Sequence, residues 1–439
     1  MPLGHTHRRR KIGPGHPLHG KVVYIPAMSE GGPEAFSAVF RWLGIEAYPT
    51  PVSNERTREL GAKFTSGDEC YPAKVTVGDF LRCAELPGFN AARTMFFMPT
   101  AEGPCRFGQY APFLRKVLDQ SGHGEAKILS PSSARGYADL GDVASAFTRT
   151  GWRALVAADC LYKVLLRTRP YETAPGAADR CYERSLEDLC ATIENSCASV
   201  SCQLEQIVAS MKRSREAFHR VPVQFDPDIP LIGVVGEIFC RLNTFSNDDL
   251  IRKLESYGAA AWLSDIAEWI QYTNSEQIRR LKLRGRGVSM DMLKAKVRWH
   301  IQSADERAIV DVFKEEFAGC EEPDIYEVLE LAEPYLPNYG ALGEMVLSTG
   351  KVAYLAKHGA DGVIDISPFT CMNGIVSEAI YPKLSADHGG IPIRNFYFDG
   401  TQADLDRDLG IYMELARSYR ERKQFVRRYP AQPLEPVRK

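Results

Sequence analysis

The sequence predicts an α/β protein of two open, doubly wound parallel-sheet domains joined by a helical connector. Three observations carry that reading. Short apolar runs alternate with stretches of helical spacing, the alternation starts twice, and residues 181–220, charged and free of Pro and Gly, lie between the two starts. At 439 residues the chain also exceeds what one hydrophobic core usually organises.

The first start is at Lys21. "KVVYIP" (21–26) reads as a buried strand, "PEAFSAVFRWLG" (33–44) as a helix ended by Gly44, and "IEAYPT" resumes an extended pattern. A helix from about Pro72, the strand "TMFFMP" (94–99), a helix over "APFLRKVLDQSG" (111–122) and the strand "AKILS" (126–130) continue the series. Strands that alternate with helices form parallel sheets covered on both faces, the flavodoxin-like pattern. In the connector, Leu186, Cys190, Ile193, Cys197, Val200, Leu204 and Met211 fall on one helical stripe, which makes Cys190 and Cys197 core thiols.

The second start, "IPLIGVVGE" (229–237), echoes the first: "SYGAAAWLSD" (256–265) stands where the first unit has "WLGIEAYPTP" (42–51). A helical insert near 275–320 carries the basic run "RRLKLRGRGVSMDMLKAKVR" (279–298), read as a solvated helix face. A helix at 341–357, the strand "GVIDIS" (362–367), a helix from about Asn373, the strand "PIRNFYFD" (392–399) and a helix from about Ala403 complete the unit. The expected organisation is a disordered basic tail at 1–20, a first α/β domain at 21–165, the connector at 166–225 and a second α/β domain at 226–439. His5 and His7 in the tail offer too few ligands for a closed metal site.

Lys and Arg total 54 against 56 Asp and Glu, so the net charge of −2 gives no field to gather nucleic acid or an anionic membrane. No apolar run reaches the roughly 18–20 residues that span a bilayer, and the basic start has no apolar segment of signal type. A cytoplasmic protein is expected. Its eleven cysteines, an odd number in a large chain, argue against a disulfide framework and leave burial or thiolate chemistry.

Three cysteines stand in loops that lead into helices, where open α/β sheets collect ligands. Cys70 lies between "KFTSGDE" and "YPAKVTVGDFL", Cys105 in "PTAEGPCRFGQY" and Cys371 in "DISPFTCMNG". Nearby Gly or Pro lets a bulky group approach, and the helix that follows offers free N–H groups and a positive dipole end, so a thiolate is expected. Three thiolates at one rim require a multivalent cation, and three sulfurs suit a [4Fe–4S] cubane with one iron open. The cysteines lie 35 and 266 positions apart and no C-x-x-C occurs, which excludes ferredoxin runs and common zinc-knuckle spacings.

"GDECYPAKVTVGDFL", "TAEGPCRFGQYAPFLRKVL", "RTRPYE" (167–172), "GVVGEIFCRLNTFSNDDLI" (233–251) and "PFTCMNGIVSEAI" (368–380) together resemble the 2-hydroxyacyl-CoA dehydratase superfamily, nearest the carboxyl-terminal part of acyl-CoA dehydratase activases and CoA-activase-related proteins. The likeness spans roughly residues 21–425. It implies a [4Fe–4S] cluster on Cys70, Cys105 and Cys371, low-potential electrons from an ATP-dependent activase, an acyl-CoA substrate and a homo- or hetero-oligomer. One relative carries a double-cubane cluster on six cysteines, for which Cys240 is the best extra ligand. Cys83, Cys160, Cys181, Cys202 and Cys320 lack such a loop context. The chain shows neither a G-x-x-x-x-G-K-[ST] loop nor an actin-like phosphate pattern, so ATP must come through another polypeptide. Glu237 and Lys74 are candidate proton-handling groups, with a helix-capping carboxylate and a surface ammonium as their plain alternatives. A non-catalytic electron-storing or scaffold subunit, and a Cys₃ zinc protein, are the competing readings.

Overall fold

The computed structural model describes residues 12–100, 103–131, 138–338, 343–401 and 404–423. Its centre is a pair of four-stranded, all-parallel sheets. The first contains β1 (Val22–Ile25), β2 (Glu46–Pro49), β3 (Thr94–Phe97) and β4 (Lys127–Leu129) in the order β2-β1-β3-β4. The second contains β5 (Leu231–Gly236), β6 (Ala260–Leu263), β7 (Gly362–Pro368) and β8 (Ile393–Phe398) in the order β6-β5-β7-β8. The two halves therefore thread their strands in the same sequence.

Both sheets are covered on both faces, as continuous apolar strands require. Val23, Ile25, Ala47, Met95 and Phe97 point into a core shared with helices Gly32–Trp42 and Ala144–Thr168. The alternate residues Tyr24, Phe96 and Ile128 meet helices Tyr71–Ala84 and Tyr110–Gln120. In the second sheet Ile232, Val234, Leu263, Ile364 and Ile366 face one core, and Leu231, Val235, Trp262 and Val363 face the other.

The repetition reaches the helices. Before β3, helix Glu55–Phe64 packs on Tyr71–Ala84; before β7, helix Ile325–Ala332 packs on Glu344–Lys357. Each pair touches through a glycine. A Cβ on Gly78 would run into the Thr57 carbonyl, and one on Gly350 into the Val328 carbonyl. Only glycine permits such approach of one helix backbone to another.

Several expectations need correction. Residues 12–20 are not a loose tail: Leu18 is buried, the Ile12 N–H donates to the Leu43 carbonyl at 3.0 Å, and His16 meets the Leu140 carbonyl. Ile12 and Leu18 supply apolar anchors that the basic composition around them conceals. His5 and His7 lie outside the described residues. The connector stripe is not one helix but two, Ala177–Glu194 and Val200–Phe218, and Val200 is exposed. This antiparallel pair packs on Gly32–Trp42 and Ala144–Thr168. The break between its helices carries Cys197, which is not a free core thiol but forms a disulfide with Cys202, their Cα atoms 6.3 Å apart. The other nine cysteines are free.

The 25-residue helix Ala144–Thr168 joins the halves. Buried Arg153 and half-buried Arg149 both grip Asp305 of helix Met290–Val310, and Lys163 binds Asp265 and Glu322. The basic run forms the exposed tip between helices Ile266–Leu283 and Met290–Val310, with Leu283, Val288, Met290 and Leu293 also exposed. Among the described residues, no helix is long and apolar enough to cross a membrane.

Candidate metal centre

The loops at the carboxyl ends of the two sheets meet. Asn243, just past the short helix Ile238–Leu242, donates its side-chain amide to the carbonyl of Ala27, just past β1, at 2.7 Å and to Ser53 Oγ at 3.2 Å. Arg58 reaches the Gly400 carbonyl at 2.7 Å, and Tyr71 and Val75 pack into the core of the second sheet. Both sheets thus turn their ligand-collecting ends toward one shared crevice.

Cys70, Cys105 and Cys371 stand on three loops of this crevice, each as the residue that caps a helix N-terminus. Cys105 follows β3 and Cys371 follows β7, the corresponding strands of the two sheets. Cys70 departs from the expected strand-to-helix junction, since helix Glu55–Phe64 precedes it. Arg106 ties the loops together: one guanidinium nitrogen donates to the Asp68 carbonyl, two residues before Cys70, and another to the Thr370 carbonyl, next to Cys371, each at 2.9 Å. Thr370 takes the left-handed conformation (φ 64°) that turns its loop back at this point. Cys70 and Cys371 are buried, and Cys105 is exposed.

The Phe107 N–H donates to Cys105 Sγ at 3.5 Å. At the other two cysteines the backbone N–H groups of the following helix, Ala73 for Cys70 and Gly374 and Asn373 for Cys371, pull the thiol down. The Tyr110 hydroxyl lies 2.6 Å from Cys70 Sγ. These donors do not make thiolates by themselves. Burial, followed by the Glu237 and Glu344 carboxylates, pushes the Cys371 thiol up to about 12. The protein packed around Cys105, then Glu344, Glu237 and Cys70, push that thiol up to about 11. Cys70 is raised chiefly by burial, against the Tyr110 and Ala73 donors. The expected preference for thiolate is therefore reversed while no cation is bound: desolvation and two nearby acids outweigh the helix ends. A multivalent cation would restore it by balancing the charge.

The three sulfurs do not all lie within 4.8 Å of one another, so as placed they do not form a closed single-ion site. Among the described residues, one group of three His, Cys, Asp or Glu brings its ligand atoms within 4.8 Å of one another, and it is Asp265, Glu268 and Glu322, not the cysteines. A lone zinc would need the three sulfurs closer together, whereas a cubane holds its ligating sulfurs at separate corners. The acidic trio is answered by Lys163 and Lys351, which pair with its members.

The remaining predicted residues divide. Glu237 directly follows β5 and is fully engaged as the cap of helix Ile238–Leu242, accepting from the Phe239 N–H at 3.1 Å and the Cys240 N–H at 2.8 Å. Its charge also acts on Cys70, Cys105 and Cys371, so it lines the centre. Cys240 is completely buried in that short helix, within the electrostatic reach of Cys70 and Cys371. Lys74 instead packs along Gly61 of the neighbouring helix and acts on Asp399. Arg106, Tyr110 and Glu344 escaped the sequence reading. The first two stand one and five positions after Cys105, inside a stretch already singled out, but nothing in the sequence brings Glu344 to the same crevice.

No protein-family model matches the chain, and no curated protein matches it.

Proposed function

We propose that this chain is an iron–sulfur protein of the 2-hydroxyacyl-CoA dehydratase type, in which Cys70, Cys105 and Cys371 hold a [4Fe–4S] cluster. The observation that carries the reading is the meeting of three helix-capping cysteines, from three loops and both halves of the chain, around the Arg106 clamp. The order second-first-third-fourth in each sheet agrees with a flavodoxin-like arrangement, whose ligands sit beyond the strand ends at the switch between first and third strands. Cys105 and Cys371 follow the third strand of each sheet.

When bound, the cluster supplies one-electron chemistry at low potential and an iron without a thiolate. The chain's own residues do the rest. Backbone N–H groups of Ala73, Phe107, Asn373 and Gly374 stabilise sulfur charge, Tyr110 fixes Cys70, and Glu237 and Glu344 make the wall acidic. Electrons would come from a separate ATP-dependent activase and serve the reduction or dehydration of an acyl-CoA-type substrate, in a cytoplasmic oligomer.

The test is anaerobic reconstitution followed by iron and sulfide quantitation. The wild type and Cys190→Ala should take up both, and Cys70→Ala, Cys105→Ala and Cys371→Ala should each lose them. A colourless, iron-free wild-type protein would refute the proposal.

A further inference from the structure

The break between helices Ala177–Glu194 and Val200–Phe218 is fastened twice. Hydrogen bonds fix its path: Trp42 Nε1 donates to the Ser196 carbonyl at 3.1 Å, and the Cys197 N–H donates to Gln206 Oε1 at 3.1 Å. Gln203 Nε2 donates to Ser196 Oγ at 3.1 Å, and Arg153 donates to the Val200 carbonyl at 2.8 Å. None of these bonds uses a sulfur. Across the same path runs the Cys197–Cys202 disulfide, between positions five apart.

Such a bridge contributes little as a staple. It closes a very short loop, which restrains the unfolded chain least, and a chain with cores this large does not depend on one. The other nine cysteines are thiols. A single bridge in a thiol-rich chain is of the kind that opens and closes rather than the kind that builds a secreted framework.

The two sulfurs differ in access. Cys197 is 3% exposed, whereas Cys202 is half-buried with Ala198, Ser199, Val200 and Ser201 exposed around it. Cys202 also stands in the first turn of the 19-residue helix, which Ser199 leaves without a side-chain cap. A thiolate released there meets the positive end of the helix. Because the hydrogen bonds hold the backbone with or without the bridge, the opened thiols stay close enough to close it again.

We propose that Cys197 and Cys202 form a thiol–disulfide exchange site, separate from the three-cysteine centre, that takes two electrons from a thiol reductant. A reductant thiolate attacks Cys202 Sγ, the bond to Cys197 Sγ breaks, and Cys197 leaves as thiolate and is protonated. A second reductant thiol attacks the sulfur of the first, which frees Cys202. The protein ends as two thiols and the reductant as its disulfide, with two electrons and two protons transferred. The reverse sequence closes the bridge.

The test equilibrates the folded full chain, under anaerobic conditions and without denaturant, in mixtures of reduced and oxidised glutathione. Quenching, alkylation and mass spectrometry then read tryptic peptide 185–212, which carries Cys197, Cys202 and, as reference thiol, Cys190. Cys197 and Cys202 should both be alkylated in excess reduced glutathione and both be protected, as one bridge, in excess oxidised glutathione. The change should reverse, with the circular dichroism spectrum unaltered. In oxidised glutathione, Cys197→Ser should carry a glutathione adduct on Cys202, and Cys202→Ser should leave Cys197 free. A pair that stays bridged, or stays alkylated, across the whole series would overturn the proposal. An adduct on Cys197 instead of Cys202 would overturn the assigned order of attack. Should either serine variant fail to fold, the wild-type series decides alone.

Discussion

The two halves use the same helix pair and then fill it with opposite charges. After Gly78 the first half places Asp79, and after Gly350 the second places Lys351; both are almost fully buried. Asp79 is held by the Ser53 and Thr57 hydroxyls, each at 2.7 Å. Lys351 is held by Glu268 and Glu322. The backbone contact is thus common to both halves while the polar filling is local to each, and the same holds at the crevice, where Cys70 caps one helix and Gly343, followed by Glu344, caps the other. A repeated scaffold need not carry a repeated site.

The comparison can be broken most forcefully at Lys351. Lys351→Met leaves Glu268 without the ammonium that pairs with it and Glu322 with Lys163 alone, and should cost about 3–5 kcal/mol in urea unfolding. A cost below 1 kcal/mol would mean that the second half does not depend on this charge.

Next come the glycines. Gly78→Ala and Gly350→Ala each force a methyl into a facing carbonyl and should each destabilise by about 3 kcal/mol. Equal losses sharpen the equivalence of the halves, and a loss at one position alone breaks it.

Asp79 then provides a pH test. Burial pushes its carboxyl up to about 7, against the hydrogen bonds from Ser53 and Thr57 that pull it down. An unfolded Asp titrates near ~3.9. The folded protein therefore holds this proton more tightly, so the group's contribution is complete below about pH 4 and is lost as pH rises toward 7. Asp79→Asn cannot ionise. Its stability relative to wild type should climb by about 1.4 kcal/mol per pH unit through the middle of that interval, while the weaker hydroxyl pairing adds only a constant offset. A flat difference from pH 4 to 8 would contradict the assignment.

The smallest effect on stability is expected at Arg106. Arg106→Ala removes partly exposed hydrogen bonds and should cost about 1 kcal/mol. Yet the reconstituted variant should release iron to a chelator faster than wild type, since the loops of Cys70 and Cys371 lose their common tie. Equal release rates would show that the clamp is incidental.

Much of the scaffold was legible because buried parallel strands write their apolar runs openly: all eight strands fall on stretches read as extended, among them "KVVYIP", "TMFFMP" and "GVIDIS". Helix Glu55–Phe64 went unseen because its face is largely polar, with only Thr57 and Gly61 buried. The long helix Ala144–Thr168 was equally silent about its partner, since the binding of Arg153 to Asp305, 152 positions away, depends on tertiary structure. At the proposed site, the positions of Cys70, Cys105 and Cys371 at helix starts were legible from the Gly and Pro of the loops that carry them. That of Glu344 was not: its place follows from the pairing of β7 with β5, which no local pattern encodes.

The most direct test of the central claim is the Mössbauer spectrum of wild-type protein reconstituted with enriched iron under anaerobic conditions. Three thiolate-bound irons and one distinct iron, seen after binding an external ligand, are the predicted outcome. Four equivalent cysteine-bound sites, or bound zinc in place of iron, would contradict it.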